Sequence, residues 1–344
     1  MFIIDHFRSA GSPEGDAEVQ EAIGGGGVYA MTAARLFLPP ANCGLIVDRG
    51  IDFPNRFARE LEALGDEMMF YRSRQGDTTR ALNSYSGSKI GEGKQMFEYL
   101  TERVKLSPKD LVLPPSPFAS PCLPRIIHMV CTTQRAKEII EEIQLIRNGG
   151  YEGVGSGWDP ELVWEPLGDS CSPEGLRPIL DILPHIAVFS PNLLEMQSIL
   201  SQATSETPEA VVQAARHFED LALSHIGRCH TAIIVRAGPL GSFTLSASWT
   251  GWVPAFWGAD RQDQVADVTG GGNAWLGGFC AGLLLTNGNM RSASIYGGAA
   301  ASFAIQQRGL PRLSLDGGTE RWNDDNPWSR LRELAERVSR LADS

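Results

Sequence analysis

Short apolar runs with β-strand character alternate along this chain with longer segments whose apolar residues recur at helical spacing. Strands separated by helices pair side by side in one direction, and the helices then cover both faces of the sheet. The alternation therefore predicts a three-layer, doubly wound α/β fold with a mostly parallel sheet. The predicted strands are residues 2–5, 44–47, 126–130, 162–164, 186–189 and 231–235. The predicted helices are residues 29–37, 56–64, 134–146, 174–180, 193–200, 208–224, 274–285, 292–307 and 328–341.

Two stretches interrupt this alternation. Residues 8–21 are polar and rich in small side chains, and residues 68–101 contain β-like pieces around 78–82 and 96–100 separated by glycine and serine. We expect one domain, residues 1–344, in which segments 8–22 and 68–101 form a small β lid over the crevice at the strand ends. Ordinary surface loops are the alternative. The proline cluster within residues 106–124 predicts a rigid return from lid to core, and residues 316–326 predict a polar loop.

Charge and cysteine usage exclude several classes of protein. The formal net charge is −11 and no basic run occurs, so a nucleic-acid surface is not expected. The six cysteines form no C-x-x-C pair and are expected to be reduced thiols of an intracellular protein. A basic leader and an uninterrupted apolar stretch of about 18 residues are both missing. The sequence thus predicts a cytoplasmic protein, monomeric or homodimeric, without a membrane partner.

A glycine turn opens directly into an apolar helical run at residues 267–279. Gly270, Gly271 and Gly272 allow positive φ and can turn several N–H groups toward one point at the start of a helix. Such a place suits an anion, above all a phosphate that is being transferred. The alternative is a plain strand–turn–helix junction whose glycines serve packing. Asn273, which follows the glycines, can hydrogen-bond a hydroxyl or a phosphate but cannot act as a base near pH 7.

This stretch resembles a signature of the ribokinase-like, or PfkB, carbohydrate kinases. In that family an aspartate at the place of Asn273 takes the proton from the acceptor hydroxyl. The resemblance implies a ribokinase-like fold and a phosphate site at Gly270 to Asn273. Because phosphoryl transfer depends mainly on positioning and charge stabilisation, slow transfer without the aspartate stays open.

The glycine turn at residues 23–30 resembles the other PfkB signature, which lets the acceptor substrate approach the backbone closely. A tight turn without a ligand is the alternative. Tyr29 stands near the place where most relatives carry an asparagine, and Asp5 falls where such kinases hold substrate hydroxyls with a carboxylate. An isolated strand-end aspartate can also be a helix cap or a turn residue. The substrate-binding residues that the resemblance implies are Asp5, Gly25, Gly26, Gly27, Tyr29 and Arg80.

Three further segments resemble the nucleotide side of these kinases. Residues 190–195 resemble an N-x-x-E motif, whose acid organises Mg²⁺, although the helix dipole also favours a glutamate there. Residues 235–242 resemble the loop that approaches ATP, and a β-turn between two strands has the same pattern. The small residues 297–302 offer a surface for adenine or for tight helix packing. The resemblance implies a magnesium ligand at Glu195 and nucleotide contacts from Asn192, Arg236, Gly238, Gly241, Thr269 and Ala301.

Residues 52–54, 78–83, 164–166 and 270–273 together are similar to a fungal branch of the family, named for maintenance of a yeast killer virus. Arg80 can pair with a substrate phosphate or carboxylate, or can be a solvated charge. Glu165 ends a predicted central strand, which should bring it to the crevice of the phosphate turn as a catalytic group. His128 lies inside an apolar run and is expected to be a satisfied core histidine.

Three functions remain open from the sequence. The first is an ATP- and Mg²⁺-dependent kinase for a hydroxyl of a sugar, nucleoside or related metabolite, with Glu165, Asp267 or Glu195 as substitute bases. The second is a catalytically silent pseudokinase that binds nucleotide or metabolite and acts through a partner. The third is a PfkB fold diverted to another reaction, such as cyclisation of a small metabolite.

Overall fold

A computed structural model describes residues 1–9, 20–85 and 95–342 of the chain. The chain forms two compact units, each assembled from three separate stretches. Unit 1 consists of Met1–Leu106, Arg261–Gly278 and Ala300–Ser329, and unit 2 of Ser107–Asp260, Phe279–Ala299 and Arg330–Ser344. Residues 10–19 and 86–94, which belong to the predicted lid segments, lie outside the described residues. The lid itself therefore stays a prediction.

The first six strands all belong to unit 1. They are β1 (Ile3–Ser9), β2 (Gln20–Gly24), β3 (Leu45–Arg49), β4 (Met69–Ser73), β5 (Arg80–Tyr85) and β6 (Gln95–Tyr99). Four of them form a sheet in the order β2-β1-β5-β6, in which β1 and β5 are parallel and the other pairs antiparallel. The remaining strands, β3 and β4, form a separate parallel pair. The β-like pieces predicted near residues 78–82 and 96–100 correspond to β5 and β6.

Unit 2 holds the main, mostly parallel sheet. Its strands are β7 (Ile126–Cys131), β8 (Glu161–Pro166), β9 (Val188–Phe189), β10 (Ala232–Arg236), β11 (Ser242–Leu245) and β12 (Thr250–Val253). They lie in the order β12-β11-β10-β9-β8-β7. Strands β7 to β10 are parallel, and the pairs β10–β11 and β11–β12 are antiparallel. Trp164 on β8, Phe189 on β9 and Phe218 form an aromatic stack that is wholly buried. Burial of the central strands explains why they appear in the sequence as continuous apolar runs.

Ten α-helices accompany the strands within the described residues, and the sequence predicted all of them except the short α3. They are α1 (Gly26–Arg35), α2 (Asn55–Glu62), α3 (Lys109–Val112), α4 (Thr133–Arg147), α5 (Leu176–Ile182), α6 (Leu193–Ile199), α7 (Pro208–Ile226), α8 (Gly271–Leu285), α9 (Met290–Ala304) and α10 (Pro327–Ala342). None of the helices in the described ranges is long and apolar enough to cross a membrane. Local signals set the ends of α7: the Thr207 hydroxyl accepts the Ala210 N–H, and Gly227 ends the helix with a φ of 72°.

The polar loop predicted for residues 316–326 is wrong in its first half. Strands β13 (Leu313–Asp316) and β14 (Thr319–Trp322) form an antiparallel hairpin there. Gly317 and Gly318 join them with φ values of 56° and 83°. Two successive positive φ angles match the twist of paired strands, so a Gly-Gly pair favours this kind of turn. Polar side chains on the exposed strands hid the hairpin from a hydrophobic pattern.

Candidate functional sites: a glycine turn in unit 1 and an ion cluster in unit 2

The N-terminal glycine turn brings two predicted site residues to one piece of backbone. Gly24 ends β2, Gly25 has a φ of 92°, and α1 begins at Gly26. A Cβ atom at Gly24 would overlap the Asp5 carboxylate, and a Cβ at Gly26 would lie 2.9 Å from Nδ2 of Asn273. Only glycine leaves room for both polar side chains. Asp5 and Asn273 therefore lie against the same turn, at glycines that are two positions apart in the chain.

Asp5 is a buried carboxyl group with one unsatisfied oxygen. It lies inside β1 and not at the strand end that the sequence predicted, so it is neither a helix cap nor a turn residue. Its residue is only 3% exposed, and Oδ1 has no hydrogen-bond partner within the described residues. Burial raises the pKa of Asp5 to about 7, the Asn83 amide lowers it, and the charge of Asp267 raises it further. Asp5 is consequently poised between its acid and its base near neutral pH.

Asp267 shapes the second glycine turn. It is 4% exposed, its Oδ1 accepts the Thr269 N–H at 2.9 Å, and its Oδ2 has no partner among the described groups. Of the three glycines only Gly270 takes a positive φ, of 75°, because α8 already begins at Gly271. The Gly271 N–H bonds the Val268 carbonyl at 3.0 Å. The residues that follow Gly270 therefore form a helix N-terminus and not a longer glycine loop.

Tyr29 lies against that second turn. The side chain is buried, at 3% exposure, and a Cβ atom at Gly270 would overlap its ring. The two helices behind the turns also touch through backbone, since a Cβ at Gly277 would overlap the Ala30 carbonyl oxygen. The Tyr29 ring therefore packs against the second glycine turn, at the place where the resemblance expects an asparagine.

Arg80 does not offer a free charge. Its guanidinium forms an ion pair with Asp52 and also donates to the Thr78 carbonyl at 3.3 Å. Asp52 in turn accepts the Thr78 N–H at 2.7 Å. The side chain is 18% exposed, so it is not a freely solvated charge either. These contacts give Arg80 a structural role at the start of β5, and substrate binding by it stays a prediction.

In unit 2, a charged cluster lies at the carboxyl ends of β8 and β10. The Arg236 guanidinium lies 2.9 Å from Oε1 of Glu165 and donates to the Ser190 carbonyl at 3.0 Å. Nε2 of His128 lies 3.5 Å from Oε2 of the same glutamate. The side chains of His128, Glu165 and Arg236 are 10–13% exposed. His128, expected to be a satisfied core residue, is half-buried, and its Nε2 makes no hydrogen bond within the described residues.

Glu195 and Asn192 form a reciprocal helix cap on α6. The Asn192 side chain accepts the Glu195 N–H at 2.9 Å, and the Glu195 carboxylate accepts the Asn192 N–H at 2.7 Å. Burial raises the pKa of Glu195 even though Arg236 and the Asn192 amide lower it, and Glu165 adds to the rise. No cluster of three or more metal-ligating side chains occurs in the described ranges. Since Mg²⁺ usually keeps several waters and takes one or two carboxylates plus phosphate, the residues fit only a hydrated ion.

The remaining predicted nucleotide residues differ in whether contacts within the protein already require a small residue at their position. Gly241 has a φ of 102° and a Cβ there would overlap the Val253 carbonyl oxygen, so the strand pair already requires it. The sequence alternative of a β-turn matches this β10–β11 connection. Gly238, with a φ of 52°, has nothing within 4 Å of a Cβ position. Ala301 is half-buried on α9.

Asn83 is the side chain near Asp5 that the sequence did not single out as a site residue. It is 1% exposed and lies on β5, where Ala81 is buried on the same face. In a strand every second side chain lies on the same face, so this alternation was the sequence signal that Asn83 is buried. The partner, Asp5, is far away in sequence, so nothing local linked the two.

These elements form a ribokinase-like α/β fold, and comparisons with known proteins agree. A family model described as pfkB family carbohydrate kinase matches residues 165–314. Ribokinase from Giardia lamblia is 17% identical, with a TM-score of 0.65 over 99% of this chain and 97% of that one. A nucleoside kinase from Methanocaldococcus jannaschii is 16% identical, with a TM-score of 0.59 over 98% and 96%. At such identities the structures show the fold alone.

More particular relatives are fungal. The chain is 28% identical over 339 residues to protein MAK32 of Saccharomyces cerevisiae, covering 94% of this chain and 87% of that protein. It is also 28% identical over 357 residues to the protein C16C9.01c of Schizosaccharomyces pombe, covering 98% and 91%. The resemblance to PfkB kinases and to their fungal branch is thereby confirmed.

Proposed function

We propose that this protein is a cytoplasmic kinase that transfers the γ-phosphate of ATP to a hydroxyl of a sugar, nucleoside or related metabolite. One observation carries the proposal: the Asp5 carboxylate and the Asn273 amide lie against a single glycine turn. A small hydroxylated molecule is the class of ligand that such a pair can hold.

Asn273 lies in the first turn of α8, where a helix N-terminus favours negative charge. We assign Gly270 to Asn273 to the transferred phosphate, and Asp5 with the turn of Gly25 to Gly27 to the acceptor. Tyr29 limits the size of that acceptor. Among solved relatives of the fold, a ribokinase from Cryptococcus neoformans was crystallised with ADP. This supports nucleotide as the second ligand.

The nucleotide residues proposed in unit 2 are polar or permit close approach. Gly238 has open space above its backbone, and Arg236 and Asn192 lie in the cluster at the ends of the strands. Within unit 1, the nucleotide contacts that we propose are Thr269 and Ala301. When bound, a hydrated Mg²⁺ would be held through Glu195 and would neutralise charge on the phosphates. All six cysteines are free, which supports the cytoplasm as location.

The test is incubation with ATP, Mg²⁺ and a panel of hydroxylated metabolites, with phosphorylated product detected by ³¹P NMR and mass spectrometry. We expect Asn273→Asp to raise turnover, because a carboxylate at this place can accept the hydroxyl proton and the amide cannot. Asn289→Asp is the matched control. Asn289 caps α9 by accepting the Ser292 N–H at 2.9 Å, and an aspartate caps equally well. A lower rate in Asn273→Asp than in the wild type would contradict the proposal.

A catalytically silent binding protein is the second candidate. It is favoured by the amide at position 273 and by the Arg236–Glu165 ion pair, which already compensates both charges. Calorimetry that detects ATP binding, together with no product from any acceptor, would support this function over the kinase.

A further inference from the structure

Resting on the proposed kinase function, we infer that Asp5, and not the residue at position 273, accepts the proton of the acceptor hydroxyl. The inference starts from Oδ1 of Asp5, a buried oxygen that accepts no hydrogen bond within the described residues, although the Asn83 amide lies near enough to lower the pKa of the carboxyl. Oδ2 of Asp5 faces Gly24, while Oδ1 is buried and unpartnered within the described residues. Leaving a buried acceptor unsatisfied costs about 1–3 kcal/mol, and more when it is charged. A ligand hydroxyl is the kind of donor that would remove this cost.

Position 273 borders the same glycine turn as Asp5. Gly24 and Gly26 belong to one turn, and they contact Asp5 and Asn273 respectively. An amide can donate to a hydroxyl oxygen while a carboxylate accepts the hydroxyl proton. Asn273 therefore orients the hydroxyl, and Asp5 takes the proton.

Burial and the charge of Asp267 give the Asp5 carboxylate the basicity that this role needs, and together they outweigh the Asn83 amide, which lowers its pKa. Asp267, next to α8, faces it with negative charge, and Asn83 on β5 faces it with an amide. On β6, burial raises the pKa of Tyr99, Arg103 lowers it, and the charge of Asp5 raises it to a smaller extent, so the tyrosine stays neutral. Burial, the largest effect, raises the pKa of Asp5 to about 7. A base with a pKa near the working pH is the most effective one.

The step balances without any further reactant. The hydroxyl O–H bond breaks and its proton moves to Oδ1 of Asp5. The oxygen electron pair forms the new bond to the γ-phosphorus, and the bond between that phosphorus and the bridging oxygen breaks, so that ADP leaves with the electron pair. Asp5 returns the proton to water when the product departs.

The experiment compares the wild type with Asp5→Asn, Asn273→Asp and the double variant, at saturating ATP and over pH 5.5–9. We expect Asp5→Asn to lower kcat about 100-fold with little change in KM for the acceptor, and to abolish the fall in rate below about pH 7. The double variant should recover the rate, because the aspartate at 273 supplies a base. Thermal unfolding curves check that each variant is folded.

A readout apart from activity is ¹³C NMR titration of labelled aspartate carboxyls, with Asp5 assigned by its loss in Asp5→Asn. We expect one carboxyl to titrate near pH 7, and to titrate at lower pH in Asp267→Asn. If Asp5→Asn does not fold, the wild-type titration decides: a wild-type spectrum in which every aspartate carboxyl titrates below about pH 5 overturns the inference.

The outcomes separate the two claims. Wild-type protein that forms no product overturns the kinase function and the inference together. Product formation that persists in Asp5→Asn with its acid limb overturns only the inference. A rise in KM without recovery in the double variant also overturns it, since Asp5 then only positions the acceptor.

Discussion

At the scale of single residues, the described structure puts ionisable groups in buried places where each depends on particular neighbours. The pKa of Asp5 depends on Asn83 and Asp267, and the charge of Glu165 is compensated by Arg236. A buried charged group either becomes neutral through a shifted pKa or needs a partner of opposite charge. The stability of the protein should therefore depend on pH through Asp5 and on the intact ion pair through Glu165.

The first prediction concerns Asp5 and pH. Its pKa in the folded protein is about 7 against an ordinary 3.8, so the fold favours the protonated acid. This stabilisation is fully present below about pH 4 and is lost as pH rises through 7. The side chain in Asp5→Asn stays neutral. The free energy of unfolding of this variant, relative to that of the wild type, should therefore rise by about 2.5 kcal/mol between pH 5 and pH 8, as measured by urea unfolding. Asp159→Asn, whose side chain is 69% exposed, is the control and should show no such trend.

The second prediction concerns the buried ion cluster. Glu165→Gln leaves Arg236 without its nearest carboxylate and should lower the free energy of unfolding by about 3 kcal/mol. Glu141→Gln, in a pair with Lys137 that is 59–60% exposed, should cost less than about 1 kcal/mol. Combining Glu165→Gln with Arg236→Met should restore most of the loss. Equal effects of the two glutamate changes would contradict this view of the cluster.

At the scale of elements, close packing between α1 and α8 depends on a missing side chain. Gly277 lies on the Ala30 backbone, so the helices meet without an intervening Cβ. Their first turns carry the two glycine motifs, and the spacing of those motifs depends on this contact. Gly298 on α9 differs, because the nearest atom to its Cβ position is the flexible end of Leu334, at 2.8 Å.

The third prediction compares these two helical glycines. Gly277→Ala should lower the free energy of unfolding by about 2 kcal/mol or more, since backbone must move. Gly298→Ala should change it by less than about 1 kcal/mol, because the higher helix propensity of alanine offsets a small shift of Leu334. Chemical denaturation followed by circular dichroism measures both. Similar costs at the two positions would show that the contact with Ala30 is not rigid.

At the scale of the whole molecule, the chain enters each compact unit three times. Unit 1 needs Arg261–Gly278 and Ala300–Ser329 in addition to its N-terminal stretch. Asn273 on the glycine turn and the ion pair between Arg35 and Glu320 both depend on these later stretches. A contiguous N-terminal piece therefore lacks part of its own core.

The fourth prediction follows from this interleaving. A fragment of residues 1–106 should show no cooperative thermal transition, because the residues that pack against α1 are missing from it. The full chain measured under the same conditions is the control. A folded fragment with a sharp transition would mean that the N-terminal stretch is independent of the later segments.

Local chemistry made much of the fold predictable. The cap, proline and glycine at the ends of α7 act through neighbours in sequence, and the buried strands of unit 2 differ plainly from their surroundings in hydropathy. The glycine turns were recognisable for the same reason. The hairpin at 313–322 was missed because its side chains are mostly polar and its pairing is what stabilises it.

The sequence by itself determined the α/β class, most helices and the two glycine turns, since these follow from backbone preferences and periodic hydrophobicity over a few residues. Only the tertiary structure decided that Asp5 and Asn273 share a turn, that Tyr29 covers Gly270 and that Asp52 neutralises Arg80. Those contacts join residues far apart in the chain, and their burial and charge exist only once the chain has folded.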